Sequence, residues 1–274
     1  MSLYYIKNLS LKSKITSIIF PERGMQYMNF AIKFKEMLQT ELNEIMDELK
    51  SLGKERTKKM YMSNGAKEPV FGVTISAMKP IFKKIKYNQS LAEQLYATGN
   101  YDAMYLAGMI AEPKKMVEED FNRWIDGAYF YMISEFIVAV TLAETDIAFS
   151  LADRWIDSGK ELEVAAGWSC YEWLLGTRKD SEFDKDKLLI MLNRVRIAIH
   201  SQPNRVKYAM NNFIMAVGIS YLPLHEEAKK IAREVGKVDV FTGKKLCQTK
   251  IAIDYIQNGV DKGRIGFKRK HVRC

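Results

Sequence analysis

One carboxylate stands in an unusual setting. Glu135 lies inside the run Tyr129-Phe130-Tyr131-Met132-Ile133-Ser134-Glu135-Phe136-Ile137-Val138. An unpaired carboxylate is costly to bury, so such a residue either pairs with a buried partner or lines a cavity. Beside aromatic rings it could serve as a general base or stabilise a developing cation; paired, it is structural. Both readings fit the run. Other catalytic signatures are missing. His200, His225 and His271 are scattered, with no HExxH motif and no partner for a Ser or Cys nucleophile. Cys170, Cys247 and Cys274 form no CxxC pair, which argues against a disulfide framework and a Cys-based zinc site. No Walker loop or strand-borne GxGxxG is present, so neither a metal nor a nucleotide cofactor is expected.

Binding chemistry is easier to find than catalytic chemistry. The tail Lys262-Gly263-Arg264-Ile265-Gly266-Phe267-Lys268-Arg269-Lys270-His271-Val272-Arg273 is strongly basic. It reads either as a phosphate-neutralising segment, with Lys268, Arg269 and Lys270 at its centre, or as a solvated terminus. Lys79, Lys83, Lys84 and Lys86 form a second group, on a helix for which Thr74 is the expected N-cap; Lys79 and Lys83 share a face. Arg194, Arg196, Arg205 and Lys207 form a third. Each group can equally be the wet side of an amphipathic helix.

These residues need a scaffold, and composition narrows it. The chain has 274 residues, 47% hydrophobic and 27% charged, with 16 Gly, 6 Pro and a net charge of +9. This is an ordinary folded protein, which excludes a disordered, collagen-like or coiled-coil chain. The most apolar region, around residues 130–143, is interrupted by Ser134 and Glu135, so no membrane helix is expected and a cytoplasmic location is the natural reading. The charge is segregated. Residues 1–86 carry +8, residues 87–181 carry −9 and residues 182–274 carry +10. Basic ends suggest an acidic partner such as nucleic acid, whereas an acidic middle would repel one if it lined the binding face.

Apolar residues recur at three-and-four spacing nearly throughout, which predicts an all-α chain. The expected helices are 25–51, 74–86, 89–98, 100–112, 117–128, 131–142, 145–158, 161–175, 184–201, 203–218, 223–235 and 248–258. Self-comparison adds a repeat. Leu91-Ala92-Glu93-Gln94-Leu95-Tyr96-Ala97-Thr98-Gly99 matches Leu151-Ala152-Asp153-Arg154-Trp155-Ile156-Asp157-Ser158-Gly159, and Arg123-Trp124-Ile125-Asp126-Gly127 falls between them. A period near thirty, with a second apolar helix after each match, is the pattern of stacked helix pairs: a solenoid with one helix set lining a concave binding face. The expected division is an N-terminal extension (1–24), a helical-repeat domain (25–218) and a C-terminal cap with its basic tail (219–274).

Several of these segments together resemble the AlkD-like DNA alkylation repair family, HEAT-like repeat DNA glycosylases that excise cationic alkylpurines. The segments are Tyr61-Met62-Ser63-Asn64-Gly65 followed by Phe71-Gly72-Val73-Thr74, the stretch Leu91 to Ala111, Arg154-Trp155-Ile156, and Gly263-Arg264-Ile265-Gly266 with its Lys-Arg-Lys. The resemblance covers roughly residues 55–274. It implies a DNA-binding solenoid, with Tyr61 and Asn212 joining Lys79, Lys83, Lys84, Arg205, Lys207, Lys268, Arg269 and Lys270 as DNA-contacting residues. It places Tyr131 at the family's aromatic position and Glu135 at the position of its catalytic Asp, with Asp126 as the alternative occupant. Ala165 stands where the family has an Arg, and Asn212 where it has a Trp. These changes imply weak or absent base excision. The alternatives are an active glycosylase for N3- or N7-alkylated purines and a protein-binding scaffold. The expected partner is duplex, damaged or branched DNA, bound by a monomer without a cofactor.

Overall fold

The computed structural model describes residues 39–242 and 245–273. The expected N-terminal extension, and the expected first helix up to residue 38, lie outside the described residues. The chain is built of helices: α1 (39–52), α2 (Glu55–Ser63), α3 (Ile75–Ile85), α4 (Gln89–Ala97), α5 (Tyr101–Ile110) and α6 (Glu118–Gly127). Next comes α7, a continuous helix of the segments Tyr131–Ile133, Ser134–Val138 and Ala139–Leu142. It is followed by α8 (Ala148–Ile156), α9 (Glu161–Leu175), α10 (Lys185–Ala198), α11 (Asn204–Ser220) and α12 (His225–Val235). A hairpin of β1 (Asp239–Thr242) and β2 (Lys245–Gln248) then precedes α13 (Ala252–Asp261). None of the helices among the described residues is long and apolar enough to cross a membrane.

Cap chemistry sets the joints. Thr74 Oγ1 accepts from the Ala77 amide (3.4 Å), Asn88 Oδ1 from Leu91 (3.1 Å) and Asn100 Oδ1 from Ala103 (3.1 Å), each supplying an acceptor to an amide that has no partner within its helix. Two departures from the sequence expectation stand out. Helix α2 has no buried residue and too little apolar periodicity to be recognised. The expected helix 248–258 is displaced to α13, because residues 245–248 pair as a strand with 239–242, Val240 opposite Cys247. The β-branched Val238 and Val240 favour that extended backbone.

Helices α4/α5, α6/α7, α8/α9, α10/α11 and α12/α13 form successive pairs. The sequence repeat falls on the first helix of three of them, and it repeats because the same positions enter the core: Leu95 and Tyr96 in α4, Trp124 and Ile125 in α6, Trp155 and Ile156 in α8 are all buried. Tyr96 stacks on Trp124 at 4.3 Å and donates its hydroxyl to the Trp124 carbonyl, tying one pair to the next. Neighbouring second helices pack more closely than neighbouring first helices. The stack therefore curves with α5, α7, α9, α11 and α13 on its inside. Close approach is required there. A Cβ on Gly108 of α5 would come within 2.7 Å of Ile137 Cγ2 on α7.

Charge that is segregated in sequence is mixed in space. On the outer helices Glu93 pairs with Arg123 (2.6 Å), Asp153 with Lys187 (2.5 Å) and Asp157 with Arg194 (2.6 Å), each bond joining one repeat to the next. These three carboxylates of the acidic middle are thus neutralised on the outer helices, so the condition under which the middle would repel DNA is not met by them.

Candidate nucleic-acid interface

Glu135 lies in the middle stretch of α7, where Ser134–Val138 widens from α-helical to π-helical turns. Such a turn admits an extra residue and redirects the side chains around it. The Glu135 carboxylate points into the stack and is only 2% exposed. Its partner comes from two helix pairs further on, at the first turn of α11. Arg205 Nε donates to Oε1 (2.9 Å), and Nη2 donates to Oε1 (2.7 Å) and Oε2 (2.8 Å). The guanidinium also lies 3.9 Å from the centre of the Tyr131 ring and 4.5 Å from that of Tyr208. A planar cation is therefore held by a carboxylate and two aromatic rings, the strongest combination available to Arg in a dry site.

Electrostatics at this point are a contest. Burial raises the Glu135 carboxyl to about 7, and nearby Glu172 adds to the rise; Arg205 and the Ser169 hydroxyl oppose it. Glu172 is also raised by burial, and it accepts from Asn212 Nδ2 (3.2 Å). Trp173 Nε1 donates to the Glu135 carbonyl (3.2 Å), its ring meets Phe136 edge to face, and the Arg269 guanidinium sits 4.5 Å from its centre. Tyr131, Arg205 and Tyr208 thus form one cation-aromatic layer, and Phe136, Trp173 and Arg269 form another.

The basic tail folds back on the stack. Gly266, with φ +78°, turns it so that its amide donates to the Ile219 carbonyl (2.7 Å). Lys268 Nζ donates to the Leu175 carbonyl at the end of α9 (2.9 Å) and pairs with Asp180 (2.8 Å). The Arg269 amide donates to the Gly176 carbonyl (2.7 Å). Arg273 reaches α5, donating to the carbonyls of Gly108 (2.7 Å) and Ala111 (3.1 Å) and pairing with Glu144 (2.8 Å). Cations placed on helix C-termini satisfy the carbonyls that have no partner within the helix.

The sequence-derived site residues divide accordingly. Glu135, Tyr131, Arg205, Asn212 and Arg269 gather on the inner face. Tyr61 is half-buried elsewhere, donating to the Val73 carbonyl (2.9 Å) and packing edge to face on Tyr101. Lys79, Lys83 and Lys84 are exposed on α3, Lys84 reaching Glu48 at 3.6 Å. Lys207 is half-buried on α11, Lys268 is committed to α9 and Asp180, and Lys270 is exposed. Asp126 pairs with Lys160 (3.0 Å), away from the aromatic layer. Ala165 is buried. Glu172 and Trp173 were missed, although Trp168-Ser169-Cys170-Tyr171-Glu172-Trp173 carries the same signal that marks Glu135, a carboxylate among aromatics. The described residues contain no cluster of potential metal ligands.

Comparison with known proteins gives these features a context. Residues 45–233 match the family of DNA alkylation repair enzymes. A solved structure described as belonging to a new family of proteins related to the HEAT-like repeat DNA glycosylases, with affinity for branched DNA structures, is 61% identical in sequence. It superposes with a TM-score of 0.81, covering 85% of this chain and 99% of that one. Uncharacterized proteins of Listeria innocua and Listeria monocytogenes are 30% and 29% identical, each match covering 78% of this chain and 95% of the relative. With its HEAT-like stack and a family match running through both halves of the Glu135–Arg205 pair, the chain belongs to the DNA alkylation repair enzyme family.

Proposed function

We propose that this protein binds branched DNA along the inner face of its helical stack, acts in the cytoplasm, and performs little or no base excision. The observation that carries the second half is the position of Arg205. Excision of an alkylpurine needs a carboxylate free to stabilise the developing sugar cation or to orient water, and an aromatic surface for the cationic base. Here both Glu135 oxygens and the Tyr131 ring are engaged by the protein's own cation. The guanidinium fills the place that a cationic base would take. Ala165 and Asn212 add no replacement for the family's Arg and Trp.

The DNA-binding half is supported by the affinity for branched DNA described for the 61% identical relative and by cations left for phosphate. Lys79 and Lys83 are exposed on α3 and Lys270 on the tail between Arg269 at α9 and Arg273 at α5, while Glu93, Asp153 and Asp157 of the outer helices are paired. The described part of the repeat domain, residues 39–218, would present the face, the cap would close one end, and the tail would run back along the stack to α5.

The test measures binding to a four-way junction, a fork and a plain duplex at several salt concentrations, beside release of 7-methylguanine and 3-methyladenine from alkylated DNA. Preference for junction and fork with no released base is expected. Robust release that is lost in Glu135→Gln would overturn the non-catalytic reading. Absence of binding at low salt would favour a protein-binding scaffold.

A further inference from the structure

Beside the Arg205 layer, a cleft of about 620 Å³ opens between α11, α13 and the returning tail. It shares the Tyr208 ring with that layer, and Phe136 and Asn212 also line it. At its mouth stand Lys250, Lys262 and Arg264, all exposed. None of the three has a carboxylate within 4 Å among the described residues, unlike Lys268 and Arg273 of the same tail. Phe267, also lining the cleft, is 61% exposed.

The combination defines the ligand. Cations without a carboxylate partner around an opening take a phosphate, even where one of them, Lys250, rests over the Tyr255 ring (4.2 Å); ring faces inside it take a flat heterocycle, and a side-chain amide can read the edge of that heterocycle. The volume lies within the ~300–1,000 Å³ of small-ligand sites, and a DNA duplex is far too wide to enter such a space. A base still paired in a helix offers no face to stack on, whereas the first unpaired nucleotide at a branch point does.

We infer that this cleft receives one unpaired nucleotide at the junction of a branched DNA, with its base against Tyr208 and Phe136 and its phosphate at Lys262, Arg264 and Lys250. The inference rests on the branched-DNA reading above and names the part of the DNA that is recognised. The branch preference then comes from the cleft, and the sequence-independent affinity comes from the remaining cations.

The experiment uses the full chain and three probes: a plain duplex, a fork, and the same fork with an abasic site at its first unpaired nucleotide. The intact fork should bind about tenfold more tightly than the abasic fork, the scale of one lost base–aromatic stack. Ala216→Trp, which fills the cleft from α11, should abolish that difference while plain duplex binding is retained. Lys262→Ala with Arg264→Ala, both at exposed positions, should weaken fork binding and lower its salt slope by about one to two, and this second variant keeps the test decisive if the tryptophan perturbs folding. Equal binding of intact and abasic forks, with both preferred over duplex, would overturn the cleft assignment and leave the proposed function standing. Equal binding of fork and duplex by the unaltered protein would overturn both.

Discussion

Arg205 and Glu135, 70 residues apart in sequence, form a bidentate ion pair inside the stack, and the arginine lies between two tyrosine rings. The pair joins α7 to α11 across the intervening α9. It therefore serves as a structural tie and as the occupant of a buried place where a carboxylate and two aromatic rings converge around a cation. On the proposed function, the engagement of Glu135 by Arg205 is what separates DNA binding from base excision in this protein.

Removing one partner of this pair should be severe. Arg205→Ala leaves Glu135 charged or forces it to take up a proton, in a position with almost no access to water, and loss of one member of a buried pair costs about 3–5 kcal/mol. Replacing both, as Glu135→Leu with Arg205→Met, should cost much less, since the rings of Tyr131 and Tyr208 accept apolar neighbours. Urea unfolding of the single and double variants checks this. Similar losses in the two would show that the pair is not coupled.

Stability should also depend on pH through Glu135. Its carboxyl is raised to about 7 in the folded protein from an ordinary value of 4.5. Between these values the folded state binds more protons than the unfolded chain. The stabilisation from this group is thus fully present below about pH 4.5 and is lost as the pH rises through 7. Urea midpoints measured from pH 4.5 to 7.5 should carry a downward component with rising pH that is missing in Glu135→Gln. Identical pH profiles for the two proteins would contradict the assignment.

Sequence periodicity reported the repeat because it is written in large buried residues at matching places, Leu95, Trp124 and Trp155, whose role is local to each helix pair. Glu135 was legible for a similar reason: a carboxylate in an aromatic run has few physical explanations. Its partner was not. Arg205 reads as one more basic residue on an amphipathic helix, and only the curvature of the stack brings it to α7. The tail misled in the same way. Its charge is visible, but the helix ends that absorb Lys268 and Arg273 lie 93 and more than 160 residues away in sequence. The hairpin before α13 escaped because its strands are short and apolar alternation over so few residues does not separate strand from helix.

Asp102 offers a test of how the first repeat is held. Its carboxylate accepts from three successive backbone amides, those of Phe71 (2.5 Å), Gly72 (3.0 Å) and Val73 (2.7 Å), and so fixes the loop that leads into α3. Burial raises this carboxyl and the three amides oppose the rise. Asp102→Ala would leave those donors without a partner, and hydrogen bonds to a charged group contribute about 1.5–3 kcal/mol each, so a loss of about 3 kcal/mol or more is expected. Asp102→Asn, which keeps one acceptor, should fall between the two. Thermal unfolding orders the three proteins, and an unchanged midpoint in the alanine variant would refute the role.

The tail contains two kinds of basic residue, and a pair of substitutions should separate them. Arg273 is 15% exposed, bonded to two carbonyls at the end of α5 and to Glu144. Arg264 and Lys270 are exposed and make no ion pair among the described residues. Arg273→Ala should lower stability by about 1–3 kcal/mol, because the carbonyls of Gly108 and Ala111 lose a donor in a half-buried setting. It should leave the salt dependence of DNA binding nearly unchanged, since this charge is already neutralised by Glu144. Arg264→Ala with Lys270→Ala should do the reverse, keeping the unfolding midpoint and lowering the salt slope by about one to two. Unfolding curves and salt titrations on the same preparations give both readouts. If Arg273→Ala changed the slope and not the midpoint, Arg273 would be a phosphate contact, and its structural role on α5 would have to be abandoned.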